Sequence, residues 1–149
     1  MDTNLLLQFK DLGIAAPLAF SAMGSALGSG AAGMAAIGSW KKCFAQNKNA
    51  PFILTVFVGA PLSQTIYGMI VMNTLLELAK KGQFMWSAGI LCGIAMGASA
   101  WMQGKAGAAA SDAMAETGKG FGNYLMVLGV IETVALFVMV FILMAAGKL

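Results

Sequence analysis

The sequence has no histidine and no arginine, and only two of its 149 residues are cysteine. Without histidine, it lacks the commonest proton shuttle and the commonest metal ligand. The two cysteines, Cys43 and Cys92, fall on different predicted elements, so no disulfide is expected, and their spacing matches no metal site. These absences exclude a disulfide scaffold and a structural zinc domain.

Charged residues are also scarce. They make up 10% of the chain, against about 25% in a typical soluble domain. Hydrophobic residues account for 59%, and the mean hydropathy is +0.80. We therefore predict one integral membrane domain over 1–149. No basic patch is interleaved with aromatic residues, so nucleic-acid binding is not expected.

Long apolar runs dominate what is present. Four segments each exceed the roughly 20 residues that span a membrane: 12–44, 51–79, 84–115 and 120–146. Strands are excluded because lipid tolerates only helices or closed barrels, and no ten-residue alternation occurs. The short connectors make successive helices antiparallel neighbours. The predicted fold is an all-α membrane protein whose four transmembrane helices form two hairpins, 12–79 and 84–146.

Small residues are concentrated on the first and third predicted helices. Gly24, Gly28 and Ala32 form a row at helical spacing, and the run 99–109 is similarly rich in alanine and glycine. Such rows let helix backbones approach closely in a membrane. Two interpretations are open: packing of four helices within one chain, or close packing around the inside of an oligomeric ring. The density on alternate helices favours the ring.

The two halves of the chain align. Residues 25–36 match 99–110 at one constant offset, and Gln64-Thr65 aligns with Glu132-Thr133 at a second offset. The matched positions include Ser25 with Ser99 and Gly30 with Gly104. The chain is therefore interpreted as a duplicated hairpin. Because Gln64 occupies the position of Glu132, two hairpins keep one ionisable site.

Glu132 is an acid inside an apolar run. A charge at the centre of a membrane helix costs about 2.5–3.5 kcal/mol on insertion scales, and such acids are functional by default. Counting along the helices puts Gln64, Gln103 and Glu132 at one height, roughly 22–29 Å from the same end plane. Pro61 has no backbone N–H, so it kinks the second helix, and the carbonyl of Ala60 can turn toward a ligand.

The polar groups at this height are all hard oxygen donors. Ser63 and Tyr67 share one face of the second helix at i, i+4 spacing. With a single negative charge, the set suits a monovalent cation such as Na⁺ better than Ca²⁺ or Mg²⁺. Protonation of Glu132 would also neutralise it, so H⁺ is the alternative. A structural alternative is that Gln64 and Gln103 only hydrogen-bond across helices around a satisfied acid.

The lysines give the orientation. The connectors within the hairpins carry a small excess of lysine, whereas lysines at the opposite end are diluted by acids. The positive-inside rule then predicts a multi-pass protein of the cell membrane with the intra-hairpin loops in the cytoplasm and both termini outside.

Together these motifs resemble the membrane rotor-ring subunit (c or K, the proteolipid) of V-type and A/V-type ATPases, most closely the bacterial sodium-pumping branch. The motifs are 24–33, 60–68, 103–105 and 130–133. The resemblance implies that Na⁺ is bound by the Ala60 carbonyl, Ser63, Gln64, Gln103 and Glu132, with a hydrogen bond from Tyr67 closing the site. Ser63 stands where that branch often has threonine, which keeps the hydroxyl.

The resemblance also implies partners. These would be identical copies in a ring, surrounding lipid, a stator membrane subunit that supplies an arginine, and a central-stalk subunit at the cytoplasmic loops. It implies no organic cofactor, and because the chain has no phosphate-binding loop we expect a non-catalytic subunit. Two other classes are weaker. A small multidrug exporter needs aromatic walls where Glu132 has aliphatic neighbours, and a purely structural tetraspan protein would not need convergent polar groups.

Overall fold

A computed structural model of the chain describes the backbone of residues 10–148 and the side chains of 13–148. The elements are α1 (Lys10–Ala45), α2 (Leu54–Gly59), a 3-10 turn (Ala60–Leu62), α3 (Ser63–Lys80), α4 (Trp86–Thr117) and α5 (Phe121–Ala146). This part of the chain contains helices and no strand. The predicted segments agree with it to within three residues at each end. The prediction that both chain termini lie on the outer side of the membrane concerns residues that the structure does not describe.

The second segment is broken at Pro61. The 3-10 turn that contains it separates α2 from α3. The physical reason is that proline supplies no N–H to the helical ladder, so the backbone tightens locally instead of continuing as a regular helix. The kink expected from the sequence therefore takes the form of one short turn.

Three helical segments in the described part are both long and apolar enough to cross a membrane: Gly13–Ala45, Leu54–Lys80 and Phe121–Ala146. The fourth segment, α4, is long enough at 32 residues, but it is not among them. Its glycines, its serines and Gln103 lower its hydropathy, and many of these residues are buried against other helices. Because its neighbours cover it, α4 presents less surface to lipid than α5 does.

The row of small residues is used inside the chain. A methyl group at Gly24 would overlap the backbone of Gly97, and one at Gly104 would overlap the backbone of Gly28. Because contacts advance in the same direction along both helices, α1 and α4 run parallel with their backbones touching. Packing within one chain thus accounts for this row of small residues. Copies in a ring would have to contact one another through other helix faces.

The hairpin loops lie at one end of the bundle. There, Lys42 Nζ on α1 lies 3.0 Å from Asp112 Oδ1 and 3.3 Å from Glu116 Oε1 on α4. All three side chains are exposed, so these pairs contribute little stability, but they align the two helix ends. The turn into α5 uses Gly118 and Gly120, both with positive φ, a conformation that glycine adopts without strain.

Candidate functional site

The polar residues form a layer between two apolar clusters. One cluster of buried apolar side chains includes Val71, Met96 and Ala135, and the other includes Phe57, Ala110 and Leu128. On each of three helical segments, a polar residue lies in sequence between a member of one cluster and a member of the other. These polar residues are Gln64, Gln103 and Glu132. The clusters separate this layer from water at both ends of the bundle. Electrostatic interactions within such a layer are stronger than they would be in water.

Both oxygens of Glu132 accept hydrogen bonds. Tyr67 Oη on α3 donates to Oε1 at 2.7 Å, and Gln103 Nε2 on α4 lies 3.2 Å from Oε2. The same Gln103 nitrogen donates to the backbone carbonyl of Leu128 at 3.0 Å, one turn before Glu132. The carboxylate on α5 thus accepts hydrogen bonds from α3 and from α4, the two other helices that carry predicted site residues.

The network continues from Gln103 toward the 3-10 turn. Gln64 Nε2 donates to Gln103 Oε1 at 2.8 Å. Ser63 Oγ lies 3.1 Å from Gln64 Oε1 and also 3.1 Å from the Ala60 carbonyl oxygen. The predicted site positions therefore lie on one continuous hydrogen-bonded chain, which we call the Ala60–Glu132 network.

Burial differs along this network. Gln64 and Gln103 are 0% and 1% exposed, so every polar atom they carry must be satisfied inside the bundle. Glu132 and Tyr67 are partly exposed at the surface of α5 and α3. The acid therefore sits at the outer end of a buried amide chain, where an ion or a partner protein can reach it.

Two contacts of the site were not predicted from the sequence. The Leu128 carbonyl accepts from Gln103, and Ser99 Oγ donates to the Ile131 carbonyl at 2.9 Å, directly before Glu132. The spacing of Ser99 and Gln103 carried a signal, because residues at i, i+4 share a face and both therefore point at α5.

The first hairpin lacks the matching contacts. Ser25 and Ser29 occupy the repeat positions of Ser99 and Gln103. Their buried hydroxyl oxygens have no hydrogen-bond partner among the described residues. A serine at position 29 is too short to reach across as Gln103 does. Among the residues that the structure describes, the duplication thus holds one complete polar network, and it runs between the hairpins.

No ion pair in the described part of the chain involves Glu132; those present join Lys42 to Asp112 and Glu116, and Lys80 to Glu77. Lys105, close to Gln103 in sequence, instead lies over the Trp101 ring with its Nζ 4.4 Å from the ring centroid. The described residues therefore supply hydrogen bonds to the acid but no counter-charge.

A comparison with known protein families finds a match to the second hairpin. Residues 86–145 match the family model of the C subunit of ATP synthase. This stretch includes Ser99, Gln103 and Glu132, whereas the first hairpin lies outside it. No curated protein matches the chain. The match covers less than half of the chain, and it makes the second hairpin similar to the C subunit of ATP synthase.

Proposed function

We propose that this chain is the ion-carrying subunit of a rotor ring in a V-type ATPase, and that it carries Na⁺ at Glu132. The observation that carries the proposal is the Ala60–Glu132 network, in a chain whose second hairpin matches the c-subunit family of ATP synthases. A lone carboxyl group would be enough for a proton carrier. The extended set of amide and hydroxyl groups around the acid favours a metal cation.

The donors fit Na⁺ in number and charge. Oxygens from Glu132, Gln64, Gln103, Ser63 and the Ala60 backbone follow one another along the network. Only the glutamate is charged, so one monovalent cation neutralises the site, which suits a carboxylate that must face lipid.

Binding requires a change in the two amides. In the structure each glutamine directs its nitrogen at an acceptor, Gln64 at Gln103 and Gln103 at Glu132. A side-chain amide carries an acceptor oxygen beside its donor nitrogen, so a turn of the terminal group presents oxygen instead. Tyr67 keeps its role in both states, because its hydroxyl donates to the carboxylate and does not occupy the amide side.

The proposed partners are supported by the lack of a counter-charge for Glu132 among the described residues. The chain contains no arginine, and no described lysine pairs with Glu132. We propose that a stator membrane subunit supplies the arginine that attracts Glu132 and releases Na⁺. The charged loop end at Lys42 would receive a central-stalk subunit, so that ATP hydrolysis in a soluble partner turns a ring of identical copies.

Labelling with a hydrophobic carbodiimide tests the proposal. We expect modification of Glu132 in membranes, and we expect Na⁺ to protect it when choline at equal ionic strength does not. A Glu132→Gln variant serves as the control for site of labelling. Labelling of Glu77, an exposed acid paired with Lys80, shows whether Na⁺ changes the reactivity of the carbodiimide in general.

The outcomes separate the alternatives. Labelling of Glu132 that responds to pH but not to Na⁺ would make the chain a proton carrier in the same kind of rotor. Absence of labelling at Glu132 at every pH would overturn the rotor proposal.

A further inference from the structure

The helix that carries Glu132 is only narrowly packed against the rest of the chain. The buried residues of α5 are Leu128, Ala135 and Ala146, and its other side chains are partly or fully exposed. Near Glu132 the buried contact thus consists of one leucine and one alanine, two turns apart. Because packing attraction grows with the number of atoms in contact, this narrow contact resists rotation of α5 about its axis only weakly.

Two side chains of α4 tie the backbone of α5 at this height. Ser99 Oγ donates to the Ile131 carbonyl at 2.9 Å, and Gln103 Nε2 donates to the Leu128 carbonyl at 3.0 Å. In an α-helix the Leu128 carbonyl also accepts the N–H of Glu132, four residues later, and Ile131 is the residue directly before the acid. Both hydrogen bonds therefore act on the stretch of backbone that carries the carboxylate.

These two hydrogen bonds would respond differently to an ion. In the proposed function the Gln103 amide turns so that its oxygen faces Na⁺, and its nitrogen then leaves the Leu128 carbonyl. The Ser99 hydroxyl makes its described hydrogen bond to the Ile131 carbonyl and not to a member of the Ala60–Glu132 network. The hydrogen bond from Ser99 can therefore remain when the one from Gln103 is lost.

We propose that Ser99 is a positioning residue, whose hydrogen bond to the Ile131 carbonyl keeps Glu132 directed at the ion while Gln103 changes partners. This rests on the proposed function, because the change at Gln103 is needed only if Na⁺ binds there. Ser99 acts through the backbone of α5 and is not itself a ligand. Its side chain is 6% exposed, so water competes little for the hydroxyl, and the hydrogen bond is stronger than it would be at a surface.

The internal repeat provides a comparison within the same chain. Ser25 on α1 occupies the repeat position of Ser99 and is 1% exposed, yet its hydroxyl has no hydrogen-bond partner among the described residues. In that hairpin, Gln64 stands at the position of Glu132. Within the described residues, the serine thus bonds to the neighbouring helix in the hairpin that carries the acid, and not in the hairpin that carries the amide.

Carbodiimide labelling of Glu132 in membranes tests this role through two measured quantities. One is the labelling rate without Na⁺, and the other is the Na⁺ concentration that half-protects the acid. For Ser99→Ala we expect the half-protecting concentration to rise about 3- to 10-fold, the range for one lost hydrogen bond. The rate without Na⁺ should be unchanged, because Gln103 still holds the α5 backbone when no ion is bound.

Two other buried serines provide matched controls. Ser25→Ala removes a hydroxyl that has no described partner. Ser111→Ala removes a hydroxyl on the same helix as Ser99, where it donates to the Gly107 carbonyl of α4 itself at 2.9 Å. Both variants should keep the half-protecting concentration of the wild type, because neither described hydroxyl donates to the backbone of α5.

An equal shift in Ser111→Ala would assign the effect to the loss of any buried hydrogen bond, and it would overturn the positioning role. A change in the labelling rate without Na⁺ as large as the change in protection would also overturn it, since Ser99 would then support the fold in both states.

The wild-type chain keeps this result separate from the proposed function. Na⁺ protection of the wild type, with no shift in Ser99→Ala, would reject the positioning role and retain the ion carrier. A wild type that no Na⁺ concentration protects would reject the Na⁺ carrier, and the role of Ser99 with it.

Discussion

Tyr67 and Glu132 lie on different hairpins, yet the phenol hydroxyl donates to the carboxylate at 2.7 Å. Removing that hydroxyl should weaken Na⁺ binding, because a hydrogen bond to a charged group contributes about 1.5–3 kcal/mol. For Tyr67→Phe, we expect the Na⁺ concentration that half-protects Glu132 from carbodiimide to rise by roughly 10- to 100-fold. Tyr124→Phe is the control, since Tyr124 packs its ring against Phe57. Equal effects of the two substitutions would contradict a role for Tyr67 in holding the ion.

The Ser63 hydroxyl is predicted to matter as an oxygen donor. It lies within 3.1 Å of both the Gln64 amide oxygen and the Ala60 carbonyl. Ser63→Ala should therefore raise the half-protecting Na⁺ concentration by about 10-fold, the effect of one lost hydrogen-bonding group. Ser63→Thr keeps the hydroxyl and should stay within a few-fold of the wild type. If the alanine and threonine variants are protected equally, Ser63 is not a ligand.

A pair of serines related by the repeat provides a stability test. Ser99 Oγ donates to the Ile131 carbonyl, whereas Ser25 Oγ is buried without a described partner. Ser99→Ala should lower the free energy of unfolding by about 0.6–1.5 kcal/mol, the range for one such bond. Ser25→Ala should be neutral or stabilising, because it removes an unsatisfied group.

Unfolding of the purified chain in detergent, followed by circular dichroism, measures both serine variants. A loss at Ser25 as large as that at Ser99 would mean that its hydroxyl has a partner in the folded protein.

A pair of glycines tests the close contact of α1 with α4. Gly104→Ala should destabilise the fold by about 1–3 kcal/mol, because the added methyl group would overlap the Gly28 backbone. Gly129→Ala is the control, since a methyl group on that part of α5 would meet no described atom within 4 Å. The control should be neutral or gain up to about 1 kcal/mol from helix propensity. Equal melting temperatures for the two variants would contradict backbone contact at Gly104.

The helices and their ends were predictable because hydropathy marks long apolar runs and few alternatives exist in lipid. The common height of Gln64, Gln103 and Glu132 was also predictable, since rigid helices convert residue counts into distances. Counting could not say which of these side chains would touch. That depends on helix rotation, which packing decides.

Other features carried no readable signal. The acceptors at Leu128 and Ile131 are backbone carbonyls, which every residue possesses. The row containing Gly24 and Gly28 suits contact within a chain or between chains equally well, so the sequence favoured a ring where the structure uses the row internally. The burial of α4 was not readable either, because a count of four apolar runs does not show which helix its neighbours cover.

The replacement of a second acid by Gln64 bears on energetics. The four predicted helical segments share one carboxylate at the height of the polar layer, so a ring of fixed circumference would move about half as many ions per turn as one with an acid at that height on every hairpin. If each turn delivers a fixed free energy, each ion then receives about twice as much. In a rotor of the proposed kind, an amide in place of an acid would therefore lower the number of ions moved per revolution. It would also let each ion be driven against a steeper gradient.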